Sequence, residues 1–206
     1  MIKLYYAPHT CSLASHIALE EAGAEYSTVR IDFGKEEQRS PNYLCDQSQG
    51  ACARDGDRPR HSDRDPRHAD LCRAAFSARV FGAARGPFAF AQVQAFNSYL
   101  CSTLHVAHAH LMRGHRWADD PAAIAEMKRK VPESVGACFE LIEREMLKGP
   151  WVMGETYTIC DPYLFTLAQW MEVDGVDPKR FPKVADHRRR VSERAAARKA
   201  IAQELG

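Results

Sequence analysis

Apolar and polar positions alternate at the start of the chain and then change period. The opening "IKLYYA" alternates β-favouring residues and stops at Pro8, which predicts a short strand. In "CSLASHIALEEAG" the positions Leu13, Ile17 and Leu19, joined by Ala14, Ala18 and Ala22, fall on one helical stripe, and Gly23 closes it. "EYSTVRIDF" returns to alternation as a second strand. A strand, a helix and a strand in so short a span form a βαβ unit, in which the two strands run parallel. "RSPNYL" then begins a second helix.

Periodicity fails near Cys45 and returns at Pro87. From there "PFAFAQVQAFNSYLCSTLHVAHAHLM" reads as a long amphipathic helix. "DDPAAIAEMKRKVPESVGACFELIEREMLKG" gives one or two more, with Pro121 in a first turn, Gly149 as the stop and Pro132 as a kink. "TICDPYLFTLAQWMEV" is a strongly apolar helix. Thr158 and Asp161, three residues apart, fit a capping box in which Asp replaces the usual Glu. "PKVADHRRRVSERAAARKAIAQEL" reads as a basic, solvent-facing final helix. The pattern therefore predicts a small α/β domain over residues 1–82, anomalous from 45 to 86, and an all-helical domain over 87–206, with no internal repeat.

Composition narrows the function classes. At 206 residues the chain has room for one large domain or two small ones. A net charge of +1 gives no global field favouring nucleic acid or an anionic membrane. No apolar run approaches the roughly 20 residues that cross a bilayer, and the N-terminus lacks the pattern of a secretory signal, so a cytoplasmic location is expected. The seven cysteines are odd in number and form no CxxC pair, which points to reduced thiols rather than a disulfide framework.

Four segments resemble the glutathione transferases, within them the bacterial beta-like class. They are "KLYYAPHTCSLASHIALEEAG", "NSYLCSTLHVAHAH", "GPWVMGETYTICDPYLFTLAQW" and "RFPKVADHRRRVSERAAARKAI". The resemblance implies an α/β thioredoxin-like N-terminal domain, disrupted after about residue 44, joined to an all-α C-terminal domain. It also implies glutathione as co-substrate, an electrophilic small molecule as its partner in reaction, a homodimer and a role in detoxification. Two family motifs are missing: the Val-Pro loop before the third strand, and the Glu-Ser or Glu-Thr pair after the fourth, which holds the γ-glutamyl group. Both belong inside the anomalous stretch.

That stretch reads as translation in the wrong frame. "CDQSQGACAR" can be encoded so that a one-base shift gives AINPKGRVPA, which supplies the Val-Pro loop. The same shift turns "DRPRHSDRDPRHADLCRAAFS" into a strand, a Glu-Thr pair and a helix. The first base of each shifted codon is the second base of the original, which the amino acid nearly fixes, so a long run of agreements is not chance. An extra base near the codons for Leu44 and Cys45, with a compensating loss near Gly86, accounts for the segment, whether as a sequencing error or as a genuine lesion. Zinc ligation by Cys45, Cys52, His61, His68 and Cys72 is disfavoured because the spacing matches no common site. Nucleic-acid binding is disfavoured because Asp is interleaved with the arginines.

Cys11 stands at the start of the first helix, where backbone N–H groups and the helix dipole lower a thiol pKa. The resemblance makes it the residue that contacts the glutathione sulfur and forms a mixed disulfide with it. Tyr6 and His105 are the other catalytic candidates. The resemblance places Tyr6 near the thiol and brings His105 to it from the second domain, although Val106 replaces the Lys that often follows. The resemblance adds Ser12, Lys35 (or Glu36 in the aligned place) and Ser98 or its neighbour Asn97 as glutathione contacts, with Ser12 also a candidate helix cap. Thr158 and Asp161 are expected as a structural cap, and no metal site is expected. Three functions are consistent with these residues: a transferase, a frameshift-damaged member that binds glutathione weakly or not at all, and a single-Cys glutathione-dependent reductase.

Overall fold

The computed structural model describes residues 2–46 and 86–205. The out-of-frame reading of 45–86, the Val-Pro loop, the Glu-Thr pair and the zinc and nucleic-acid readings fall almost wholly outside the described residues. The chain divides into two compact units, Met1–Gly82 with Ser192–Gly206, and Ala83–Val191.

In the first unit, β1 (Ile2–Tyr6) and β2 (Tyr26–Arg30) pair in parallel, from Ile2 opposite Tyr26 to Tyr6 opposite Arg30. The crossover is α1 (Ser12–Ala22), reached through a turn in which His9 takes a left-handed φ of 62°. Such a φ is uncommon outside glycine and reverses the chain within a few residues. Gly23, also left-handed at φ 62°, ends α1 and donates its N–H to the Glu20 carbonyl. The strands bury alternate faces, as period-two geometry requires: Leu4 is buried, as is Ile17 of α1, which packs on β1, while Tyr5 joins Ile31 and Tyr43. The Tyr5 and Tyr43 rings meet edge to face, 5.1 Å between centroids. Tyr43 lies on α2 (Pro41–Asp46), whose start is tied by the Tyr43 N–H donating to the Ser40 hydroxyl.

The chain returns to this unit at its end. The tail expected as one solvent-facing helix is two, α7 (Pro182–Ser192) and α8 (Ala195–Leu205), and each buries a stripe. On α8 the stripe is Ala197, Ala200 and Glu204, and it lies on α1. The two alanines let the helix backbones approach closely. Burying Glu204 requires a polar partner inside the seam.

The second unit is helical. α3 (Pro87–Tyr99) passes through a π turn, Leu100–Leu104, into α4 (His105–Arg113). α5 (Pro121–Leu141) starts at Asp120, whose carboxylate accepts from the Ala122 N–H, and runs on through Pro132 before a second π turn, Ile142–Met146. α6 (Cys160–Ala168) is buried on almost every side, its polar Asp161 and Thr166 included. Its Leu164 and Phe165 are fully buried, as are Phe139 and Val131 of α5 and, almost fully, Leu104. Each such side chain stabilises the fold by about 1.5–3 kcal/mol through removal from water. Among the described residues no helix is long and apolar enough to cross a membrane.

Candidate functional site

Cys11 is the residue immediately before α1, partly exposed, with its backbone already helical at φ −66° and ψ −14°. The side chains on either side of it are fixed. The Thr10 hydroxyl donates to the Ala7 carbonyl at 2.8 Å, and Thr10 Oγ1 lies 2.8 Å from Ser12 Oγ. The Ser12 hydroxyl also reaches the Ala7 carbonyl, at 3.4 Å, so either hydroxyl can donate in the contact between them. Ser12 is buried and makes no helix-capping bond; its hydroxyl belongs to this short chain. Two hydroxyls anchored to the preceding turn thus hold the backbone on both sides of the thiol.

The Tyr6 hydroxyl donates at 3.5 Å to the carbonyl of Gln203 on α8, and its ring lies 6.1 Å from that of His16. Lys35 is exposed at the end of a short 3-10 turn, Phe33–Lys35, 3.5 Å from the Asp32 carboxylate. Asp32 itself accepts from the Gly34 and Lys35 N–H groups, and these bonds, that of Gly34 foremost, hold its carboxyl below the ordinary value.

A polar seam between α1 and α8 was not visible in the sequence. His16 is fully buried, with Nδ1 3.0 Å from Glu204 Oε1 and Nε2 2.8 Å from Gln203 Oε1. Tyr26 lies edge-on to its ring and donates to Glu20, which Lys199 also reaches at 2.8 Å. Burial first, and then the bond to Glu20, raises the Tyr26 phenol well above its ordinary range. Burial alone would raise the Glu20 carboxyl, but the bonds from Lys199 and Tyr26 prevail and lower it. Partners about 188 positions apart leave no local signal, so only the fold could reveal them.

The remaining candidates lie in the helical unit. Asn97 and Ser98 sit near the end of α3; Asn97 Oδ1 is buried with no hydrogen-bond partner, and the Ser98 carbonyl accepts from Ser102. His105 begins α4, its Nδ1 3.2 Å from the Tyr163 hydroxyl and its ring 5.3 Å from that of Trp170. His108, one turn on, contacts the buried Asp174 carboxylate at 2.7 Å. Among the described residues no group of three His, Cys, Asp or Glu side chains is placed to hold a metal ion.

Thr158 and Asp161 frame the start of α6. Asp161 Oδ2 accepts from the Thr158 N–H at 2.6 Å, while the Thr158 hydroxyl lies 3.3 Å from the Cys160 N–H. Asp161 Oδ1 accepts in addition from the Val152 N–H and from His187 Nε2. A cleft of about 360 Å³ lies between α3 and the chain from 145 to 158, lined by Val93, Phe96, Met146, Met153 and Thr158. Among the described residues, Thr158 is the one singled out from the sequence that lines it.

Three comparisons bear on this arrangement. The model of the glutathione S-transferase C-terminal domain matches residues 104–195. The crystal structure of a glutathione transferase homolog from Sulfitobacter, with bound glutathione, is 36% identical over 100% of this chain and 99% of that one, with a TM-score of 0.91. A ternary complex of BphK, a bacterial glutathione transferase, is 25% identical over 99% of this chain and 100% of that one, with a TM-score of 0.83. Among curated proteins, the glutathione S-transferase GstA of Escherichia coli O157:H7 is 23% identical, covering 98% of each chain.

Proposed function

The chain belongs to the glutathione transferase family, and on that premise we propose that it binds glutathione as the thiolate beside Cys11 and transfers it to an electrophilic small molecule. The observation that carries this reading is Cys11 at the start of α1 in a parallel βαβ unit, where the dipole and first-turn N–H groups favour a sulfur anion. In conjugation the glutathione sulfur attacks the electrophilic carbon, a bond to carbon forms, and the leaving group departs with its electron pair. In thiol exchange the Cys11 thiolate attacks one sulfur of a glutathione disulfide, forms the mixed disulfide and releases glutathione thiolate. Ser12 positions the loop that carries Cys11. Tyr6, Lys35, Asn97 and Ser98 are assigned to glutathione binding or its surroundings. His105, oriented by Tyr163, is assigned to the sulfur as a hydrogen-bonding group.

The finer assignments belong to the same proposal: the beta-like class, a homodimer and a detoxifying role. The damaged, non-catalytic reading and the reductase reading are not favoured by the full-length likeness to a homolog with bound glutathione. The displaced reading frame over residues 45–86 is part of the proposal, because the in-frame segment would restore the Val-Pro loop and the Glu-Thr pair.

Two measurements test it. DNA sequencing across the codons from Tyr43 to Phe88 is expected to show that the printed frame is displaced; a printed frame matching the gene overturns that part. For the chemistry, Cys11→Ala is expected to abolish the mixed disulfide seen by mass spectrometry. It should also slow exchange with a small disulfide by at least about 100-fold, and conjugation to an activated chloroarene by about tenfold. Unchanged rates in both assays would remove Cys11 from the site.

A further inference from the structure

We propose that His108 and Asp174 are positioning residues for His105, acting through the indole of Trp170. The inference rests on the reading that His105 serves the glutathione sulfur. It adds a second layer of residues that neither the sequence nor the comparisons identify.

The geometry runs in one direction. Asp174 is 2% exposed, and a carboxylate so placed is costly unless a donor meets it. His108 supplies the donor, with Nδ1 2.7 Å from Asp174 Oδ1. That contact fixes the tautomer and the ring plane of His108. The fixed ring lies on Trp170, 4.2 Å between centroids and 21° between planes, which is a stack. Trp170 in turn stands 5.3 Å from the His105 ring at 53°. The backbone closes the loop, because the Asp174 N–H donates to the Trp170 carbonyl at 2.9 Å and so ties carboxylate and indole into one turn. The Tyr163 hydroxyl and the Trp170 ring both orient His105.

Trp170 cannot serve chiefly as a platform for an aromatic substrate. It is only 9% exposed, and the stack with His108 occupies one of its faces. Its position between two imidazoles, one of them tethered to a buried acid, suits the transmission of orientation instead. A catalytic hydrogen bond loses much of its effect when its donor is displaced by a fraction of an ångström, so a positioning residue that never touches substrate still alters turnover.

The test uses the full chain and has one readout independent of activity. His105 lies within reach of the Trp170 ring current, so its imidazole NMR resonances report the indole's position. In His108→Ala we expect the His105 resonances to shift, kcat for an activated chloroarene to fall about tenfold, and the glutathione KM to stay within about twofold. The double variant His108→Phe with Asp174→Asn keeps a ring on Trp170 and neutralises the buried acid. It is expected to return the His105 resonances toward their original positions and kcat to within about threefold. Unmoved His105 resonances in folded His108→Ala would overturn the inference, as would a double variant no better than His108→Ala. His105→Ala is measured alongside. If it leaves kcat unchanged, the role given to His105 fails while the resonances still judge the coupling through Trp170.

Discussion

His16 and His187 are both buried imidazoles bonded to a carboxylate, yet the two pairs are built differently. Asp161, the partner of His187, is already held by the Thr158 and Val152 N–H groups, both within ten positions of it. His187 arrives from α7 as a further donor, and its Nδ1 is buried without a partner. Glu204 has no such local framework among its described bonds. It meets His16 across the seam between α1 and α8, and His16 uses both ring nitrogens there. One carboxylate organises a loop and a helix start, with a histidine added. The other is itself the link between two distant helices. The lesson is that equal burial and equal distance do not imply equal function, because what matters is which groups lose a partner when one is removed.

Asp161→Ala should show the largest effect. It strips the acceptor from two backbone N–H groups and an imidazole at once, and a loss of about 4–5 kcal/mol in urea unfolding is expected. His16→Leu should follow at about 3 kcal/mol, because it leaves the Glu204 carboxylate buried without its donor. Paired substitutions sharpen the contrast. His16→Leu with Glu204→Leu removes both partners together and should recover most of the single-variant loss. His187→Leu with Asp161→Leu should recover almost none, because the Thr158 and Val152 N–H groups still lose their acceptor. Equal recovery in the two double variants would erase the distinction.

The smallest effect lies at the rim of the α1–α8 seam. Lys199→Ala should cost at most about 1 kcal/mol at neutral pH, since Lys199 is largely exposed. Its signature is the acid limb. A carboxyl held below its ordinary value, as Glu20 is, contributes stability that is fully present above that value and is lost as pH falls through the lowered one. Unfolding measured from neutral to acid pH should therefore show a shallower acid decline in Lys199→Ala than in the parent. An unchanged slope would place the acid sensitivity elsewhere.

Legibility from the sequence followed the range of the interactions. The βαβ unit came from period and punctuation, and its parallel pairing is the observed one. Thr158 and Asp161 stand three residues apart, a spacing that a short window contains, and the Thr158 N–H donates to the Asp161 carboxylate. The tail was misjudged: its abundant Arg and Lys suggested a solvent-facing surface, but Val184, His187 and Val191 on α7 and Ala197, Ala200 and Glu204 on α8 are buried. Arginine density reported the outer faces and hid the inner ones. Trp170 stands in a segment read as a strongly apolar helix, and it is buried, but its place between His105 and His108 depends on a turn that brings Asp174 back to α4.

By itself the sequence determined the two strands, the first helix with its stop at Gly23 and the α/β-then-helical order. These follow from local propensity, turn chemistry and a periodicity of a few residues. Only the tertiary structure decided that α8 belongs with α1, that Glu204 meets His16, that the Tyr6 hydroxyl faces Gln203, and that His108 leans on Asp174. Each of those contacts joins residues separated by tens to hundreds of positions. Which polar groups meet inside a fold is fixed by the mutual satisfaction of buried donors and acceptors, and that condition has no expression in any short window of sequence.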